Sequence, residues 1–142
     1  TLPYTAGLWP FFDLVLCDRA GVDLFARLGF ADVRYWCQYA HKRSFHRLFA
    51  DAGPRDLDLG FAGNLNPAVQ RERAPWLDRV RRLAARGVGT LVTDQVRGEA
   101  YGRFLNRCRI GWNRSIRGEM NLRAFEVPAC GAVLLMVTAG LS

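Results

Sequence analysis

The chain has 142 residues, half of them hydrophobic, with 12% aromatics and a mean hydropathy of −0.04. That composition suits a folded unit with a real core and excludes a disordered polar chain. The net charge of +7 is almost all arginine, with Lys42 the single lysine, and the arginines spread from Arg19 to Arg123 without a dense block. This leaves a modest preference for anionic ligands and argues against a dedicated nucleic-acid surface.

Short β-branched or aromatic runs alternate with helical patterns, the signature of an α/β fold. Residues 12–17 read as a strand. Residues 21–28 place Val22, Phe25 and Leu28 on one helical face, with Gly29 as the stop. Residues 33–37 read as a second strand, and residues 40–56 as a basic, partly helical connector closed by Gly53-Pro54. A strand over 57–62 then runs into the turn Gly63-Asn64-Leu65-Asn66-Pro67, a position where α/β proteins place ligands. A helix over 70–86 carries Trp76, Leu77, Val80, Leu83 and Ala84 on one stripe and ends at Gly87. Strand 88–93, helix 99–107 and strand 109–113 follow. The order from residue 57 is β-α-β-α-β-α-β, which predicts a parallel Rossmann-like sheet with right-handed crossovers and helices on both faces.

Residues 117–131 concentrate the chemistry. Carboxylates (Glu119, Glu126), guanidiniums (Arg117, Arg123) and the Asn121 amide surround an expected helix start, and a strand-like run over 132–137 follows. A helix N-terminus suits a phosphate. Glu126, about two turns into that helix, has the chemistry to accept hydrogen bonds from ribose or sugar hydroxyls. The plainer reading is a charged surface helix with Glu126 paired to Arg123. Cys17, Cys37, Cys108 and Cys130 show no C-x-x-C pair and no histidine at zinc-ligand spacing, so they read as small buried thiols in a reducing, cytoplasmic setting. No signal-peptide pattern is visible at the N-terminus. The longest apolar run, 127–141, is broken by Pro128, Gly131 and Gly140, short of the about 20 residues a membrane span needs. His41 and His46 have the right chemistry for a base, but no motif around them assigns a role.

Residues 115–135 resemble the signature of the CgeB-like (spore maturation protein) glycosyltransferases. Residues 61–65 with Arg71 and Arg73, residues 101–111, and the Gly-Val-x-x-Phe and Leu-Gly-Phe elements of residues 13–30 fit the same pattern. The resemblance covers about residues 10–135 and implies a GT-B architecture: two Rossmann-like domains facing across a cleft, a nucleoside diphosphate sugar held by the second, and no metal. Residues 1–38 would then end the acceptor-side domain, residues 39–56 would connect, and residues 57–142 would begin the donor-binding domain.

By the same resemblance, Glu126 would bind the ribose hydroxyls. Asn121, Leu122 and Arg123 would face the diphosphate, and Gly63 and Asn64 would approach it with Arg71. Gly118 and Glu119 are the sugar-side candidates. Related retaining enzymes space their paired glutamates by seven residues, whereas six separate Glu119 from Glu126, so Gly118 holds the register position.

The expected activity is metal-independent transfer of a sugar from a nucleotide-sugar donor to an acceptor that the sequence does not name. No other cofactor, no nucleic acid and no transmembrane segment are expected. The alternatives are a GT-B nucleotide-sugar epimerase or a non-catalytic nucleotide-binding fragment. With no helix following the last strand, the chain reads as incomplete, inactive alone, and prone to self-association through an exposed edge. The catalytic base is not identifiable from sequence.

Overall fold

The structure is a computed structural model that describes residues 8, 11–36, 42–68, 71–114 and 121–137. Two compact units divide the chain, Thr1–Tyr39 and Ala40–Ser142. The smaller is one β-α-β unit: β1 (Val15–Cys17), α1 (Arg19–Arg27) and β2 (Val33–Tyr35), with the two strands paired in parallel. Asp18 caps α1, its carboxylate accepting from the Gly21 amide at 2.7 Å, and Gly29 ends the turn with φ +87°. Both strands are shorter than the sequence suggests, and Cys37 lies outside the described residues. None of this unit's described residues is buried, and Phe12, Leu16 and Trp36 are more than half exposed. One crossover helix covers only one face of two short strands, too little to enclose a core.

The larger unit is an α/β layer structure. Its elements are β3 (Leu57–Ala62), α2 (Ala74–Arg82) with a 3-10 turn over Leu83–Arg86, β4 (Thr90–Thr93), α3 (Gly98–Arg107), β5 (Cys108–Arg114), α4 (Arg123–Ala129) and β6 (Val133–Val137). All strand pairs are parallel, in the order β4-β3-β5-β6. The alternation predicted from sequence is therefore present, with some ends trimmed and with α3 and β5 slightly longer than expected. The 70–86 helix is shorter because Pro75 starts it and residues 71–73 form a turn, and its last turn tightens to 3-10 before Gly87 at φ +79°. Ala84, expected on the buried stripe, is exposed.

The connection from β3 to β4 runs one way along the sheet and those from β4 to β5 and β5 to β6 run the other. Right-handed crossovers then place α2 on one face and α3 with α4 on the opposite face. Two apolar clusters reflect this. Leu59, Phe61 and Trp112 pack with Leu77 and Val80 of α2, whereas Ala62 packs with Phe104, Leu105, Val127 and Cys130 of α3 and α4. Close packing on the second face depends on Gly111, where a Cβ would meet the Val127 Cγ1 at 2.6 Å. Edge strand β6 leaves Val133 and Leu135 67% and 47% exposed.

The segment expected to be a partly helical connector has no helix among its described residues 42–56. It forms turns that pack on the larger unit. Buried Asn106 holds it, accepting from the Phe49 amide at 3.0 Å and donating to the Arg47 carbonyl at 2.7 Å. Gly102 lets the Phe45 carbonyl approach α3 closer than any side chain would allow. Arg55 donates to the Leu105 and Cys108 carbonyls at the end of α3 and to the Cys130 carbonyl at the end of α4. One guanidinium thus satisfies carbonyls that both helices leave open and opposes the negative ends of their dipoles.

Candidate functional site

Because β3 and β5 are adjacent but send their following helices to opposite faces, a crevice opens outside their carboxyl ends. Open α/β sheets bind ligands at such switch points. Arg123, the first residue of α4, occupies it. Its Nη2 donates to the Ala62 carbonyl at 2.7 Å and its Nη1 to Asn113 Oδ1 at 3.0 Å, so one side chain ties the ends of β3 and β5 together. The guanidinium lies 4.7 Å from the Phe61 ring centre, a cation–π distance. Fully buried Asn113 also donates to Asn121 Oδ1 at 2.9 Å, and Asn121 Nδ2 donates back at 3.3 Å. At Gly63 a Cβ would sit 2.7 Å from Arg123 Nη2, so a bare backbone is what gives the guanidinium its path to the sheet.

Beside Arg123 lies a cleft of about 400 Å³, lined among others by Lys42, His46, Gly63, Tyr101, Arg123 and Glu126. Glu126 sits in the first turn of α4, not two turns in, because the helix starts at Arg123. Its carboxylate is partnered across elements: Oε2 accepts from the Tyr101 hydroxyl at 3.0 Å, and Oε1 lies 3.7 Å from His46 Nε2. The expected local pairing of Glu126 with Arg123 is absent from these contacts, since Arg123 turns into the sheet. His46 is buried and accepts at Nδ1 from the Lys42 amide at 3.1 Å, which leaves the neutral ring's proton on Nε2, facing Glu126. The ring stacks edge-on with Phe45 and Tyr101. Burial pushes the Tyr101 hydroxyl well above its ordinary 10.0, with Arg123 opposing and Glu126 adding to the shift. Tyr101 therefore remains a hydrogen-bond donor at neutral pH.

Of the residues expected at the site, Gly63, Arg123 and Glu126 come together in this cleft, with Asn121 behind Arg123. Leu122 caps α4, its carbonyl accepting from the Phe125 and Glu126 amides, and its side chain is 38% exposed. Asn64 shapes the turn after β3: its side chain accepts from the Asn66 amide at 2.9 Å. Arg71 lines a different depression of about 570 Å³ along α2, with Pro67, Pro75 and Arg79. Gly118, Glu119 and His41 lie outside the described residues. Sequence alone offers His46 only as a base, not as a neighbour of Glu126, and does not single out Tyr101 and Asn113 as site residues. Tyr101 opens one of the recognised segments, and Asn113 is a buried amide at a strand's carboxyl end, a usable signal.

Arg73 is buried against the opposite face of the switch point, its guanidinium 5.4 Å from the Phe61 ring centre and 3.4 Å from the Arg114 carbonyl. Cys108 and Cys130 are fully buried and Cys17 is partly buried, so the first two match the buried-thiol reading. Among the described residues no three His, Cys, Asp or Glu side chains gather as a metal-ligand set, and no helix is long and apolar enough to cross a membrane.

No curated protein and no solved structure matches the chain significantly. Residues 42–140 match the family model described as glycosyl transferase-like. That span takes in the segment 42–56 packed on the sheet, the switch-point crevice and the α4 motif. It covers more than two thirds of the 142 residues, so the chain belongs to the glycosyl transferase-like family.

Proposed function

We propose that the Ala40–Ser142 unit holds the nucleoside diphosphate part of a nucleotide-sugar donor, for sugar transfer without a metal by an enzyme of the CgeB-like group. The observation that carries this reading is the Glu126 carboxylate, largely buried yet lining the cleft next to Gly63 and Arg123. A carboxylate so placed accepts hydrogen bonds from the two ribose hydroxyls. Arg123 and the backbone at Gly63 face the diphosphate, supplying fixed positive charge where other enzymes use a divalent cation. The Thr1–Tyr39 unit is the end of the acceptor-side domain, and donor binding does not require it.

The test is calorimetry or thermal shift with uridine, guanosine and thymidine diphosphates, with and without a chelator. We expect binding of uridine or guanosine diphosphate, unchanged by the chelator, and weaker binding of thymidine diphosphate, which lacks the 2′-hydroxyl. Replacing Glu126 by alanine should weaken it roughly ten- to hundred-fold, since a hydrogen bond to a charged group is worth about 1.5–3 kcal/mol. A folded Glu126→Ala protein with unchanged affinity would remove this carboxylate from the site.

A further inference from the structure

Glu126 is contacted from two distant parts of the chain. A glutamate on the first turn of a short helix rotates about three side-chain bonds unless something stops it. Here Tyr101 of α3 donates to one oxygen and His46 of the 42–56 segment sits against the other. His46 is in turn oriented by the Lys42 amide. Contacts at both oxygens fix the plane of the carboxylate, and each oxygen keeps a second lone-pair direction. Two parallel acceptor directions match the spacing of a vicinal cis-diol, as in the 2′- and 3′-hydroxyls of a ribose.

We propose that Tyr101 and His46 are positioning residues that hold Glu126 flat for bidentate recognition of a cis-diol, and so make the site selective for ribonucleoside over 2′-deoxyribonucleoside diphosphates. This rests on the reading of Glu126 as the ribose ligand. Tyr101 is the stronger of the two, because its bond is a hydrogen bond at 3.0 Å while the 3.7 Å contact of His46 is electrostatic only. The segment that carries His46 is fastened by Asn106 and Arg55 rather than by its own secondary structure. Selectivity therefore depends on that docking.

The experiment measures dissociation constants of the tightest-binding ribonucleoside diphosphate and of its 2′-deoxy counterpart. The proteins compared are the wild type, Tyr101→Phe, His46→Leu and His46→Gln. The wild type should prefer the ribonucleotide by roughly ten-fold or more, the value of a hydrogen bond to a charged acceptor. Tyr101→Phe keeps the ring packing and should reduce that ratio to a few-fold. His46→Leu should reduce it less, and His46→Gln, which retains an N–H toward Glu126, should restore it. A role in folding alone would weaken both nucleotides equally and leave the ratio intact. A selective wild type whose ratio survives Tyr101→Phe and His46→Leu overturns the positioning roles while leaving Glu126 as ligand. A wild type that binds both nucleotides equally overturns both.

Discussion

Gly102→Ala is the sharpest test of how the cleft is walled. In an open helix the change gains about 1 kcal/mol, because alanine loses less backbone entropy than glycine. In α3 the new Cβ would lie 2.8 Å from the Phe45 carbonyl carbon and 3.3 Å from the Phe49 ring. The Phe45 carbonyl oxygen would lie closer still, and non-bonded contacts settle near 3.5–4.0 Å between carbons, so the Phe45 peptide must retreat by more than ~1 Å. It cannot do so freely. Phe45 and His46 are tied to the Lys42 carbonyl at 3.0 and 2.7 Å, and Arg47 and Phe49 are tied to Asn106 on the other side.

Giving up the two Asn106 bonds costs about 1 kcal/mol each, and forced overpacking costs about 1–3 kcal/mol. Together these come to about 3–5 kcal/mol against a helix gain of about 1 kcal/mol, so the variant should be less stable by roughly 2–4 kcal/mol. Urea unfolding followed by circular dichroism reads this as a lower midpoint at unchanged slope. Ribonucleotide affinity should fall with it as His46 withdraws. An unchanged or raised midpoint would mean that residues 42–49 do not pack on α3, and the account of the cleft would fail.

Arg123→Met should cost about 3–6 kcal/mol of stability, because it removes two charged hydrogen bonds at the ends of β3 and β5, each worth about 1.5–3 kcal/mol. It should also abolish measurable diphosphate binding; calorimetry on a protein that still melts cooperatively decides between loss of ligand and loss of fold. Arg55→Met frees the Leu105, Cys108 and Cys130 carbonyls. Amide exchange should then accelerate over the last turns of α3 and α4 before it does so in β3; uniform protection would contradict the capping role. Burial lifts the Cys108 thiol from an ordinary 9.0 to about 12 and the Cys130 thiol to about 11. The unfolded chain then releases these protons first, so their stabilisation is complete below about pH 9 and drains away as pH rises toward those values. A urea midpoint that stays flat between about pH 8 and 10.5 would refute this.

The element order was readable because its causes are local. Gly29 and Gly87 take the left-handed turns that end α1 and the α2 region, the Leu77 and Val80 stripe has helical period, and β3 alternates by two. The parallel sheet with helices on both faces followed from that order through the handedness of crossovers. The α4 motif was equally visible, since its glutamate, arginine and asparagine lie within six residues.

What each of those side chains does was decided by partners distant in sequence. Arg123 reaches Ala62 across 61 positions, and Glu126 meets Tyr101 across 25. The residues 42–56 carry neither period, so they read as a connector. Their place on the larger unit comes from Asn106, which bonds Phe49 across 57 positions, and from Arg55, which reaches Cys130 across 75. Asn64 shows the converse. Its amide is spent on the turn two residues ahead, a local hydrogen bond that asparagine favours in turns. Periodicity reports which face of an element is buried; only the crossing of chains at the switch point decides which polar groups share a cleft.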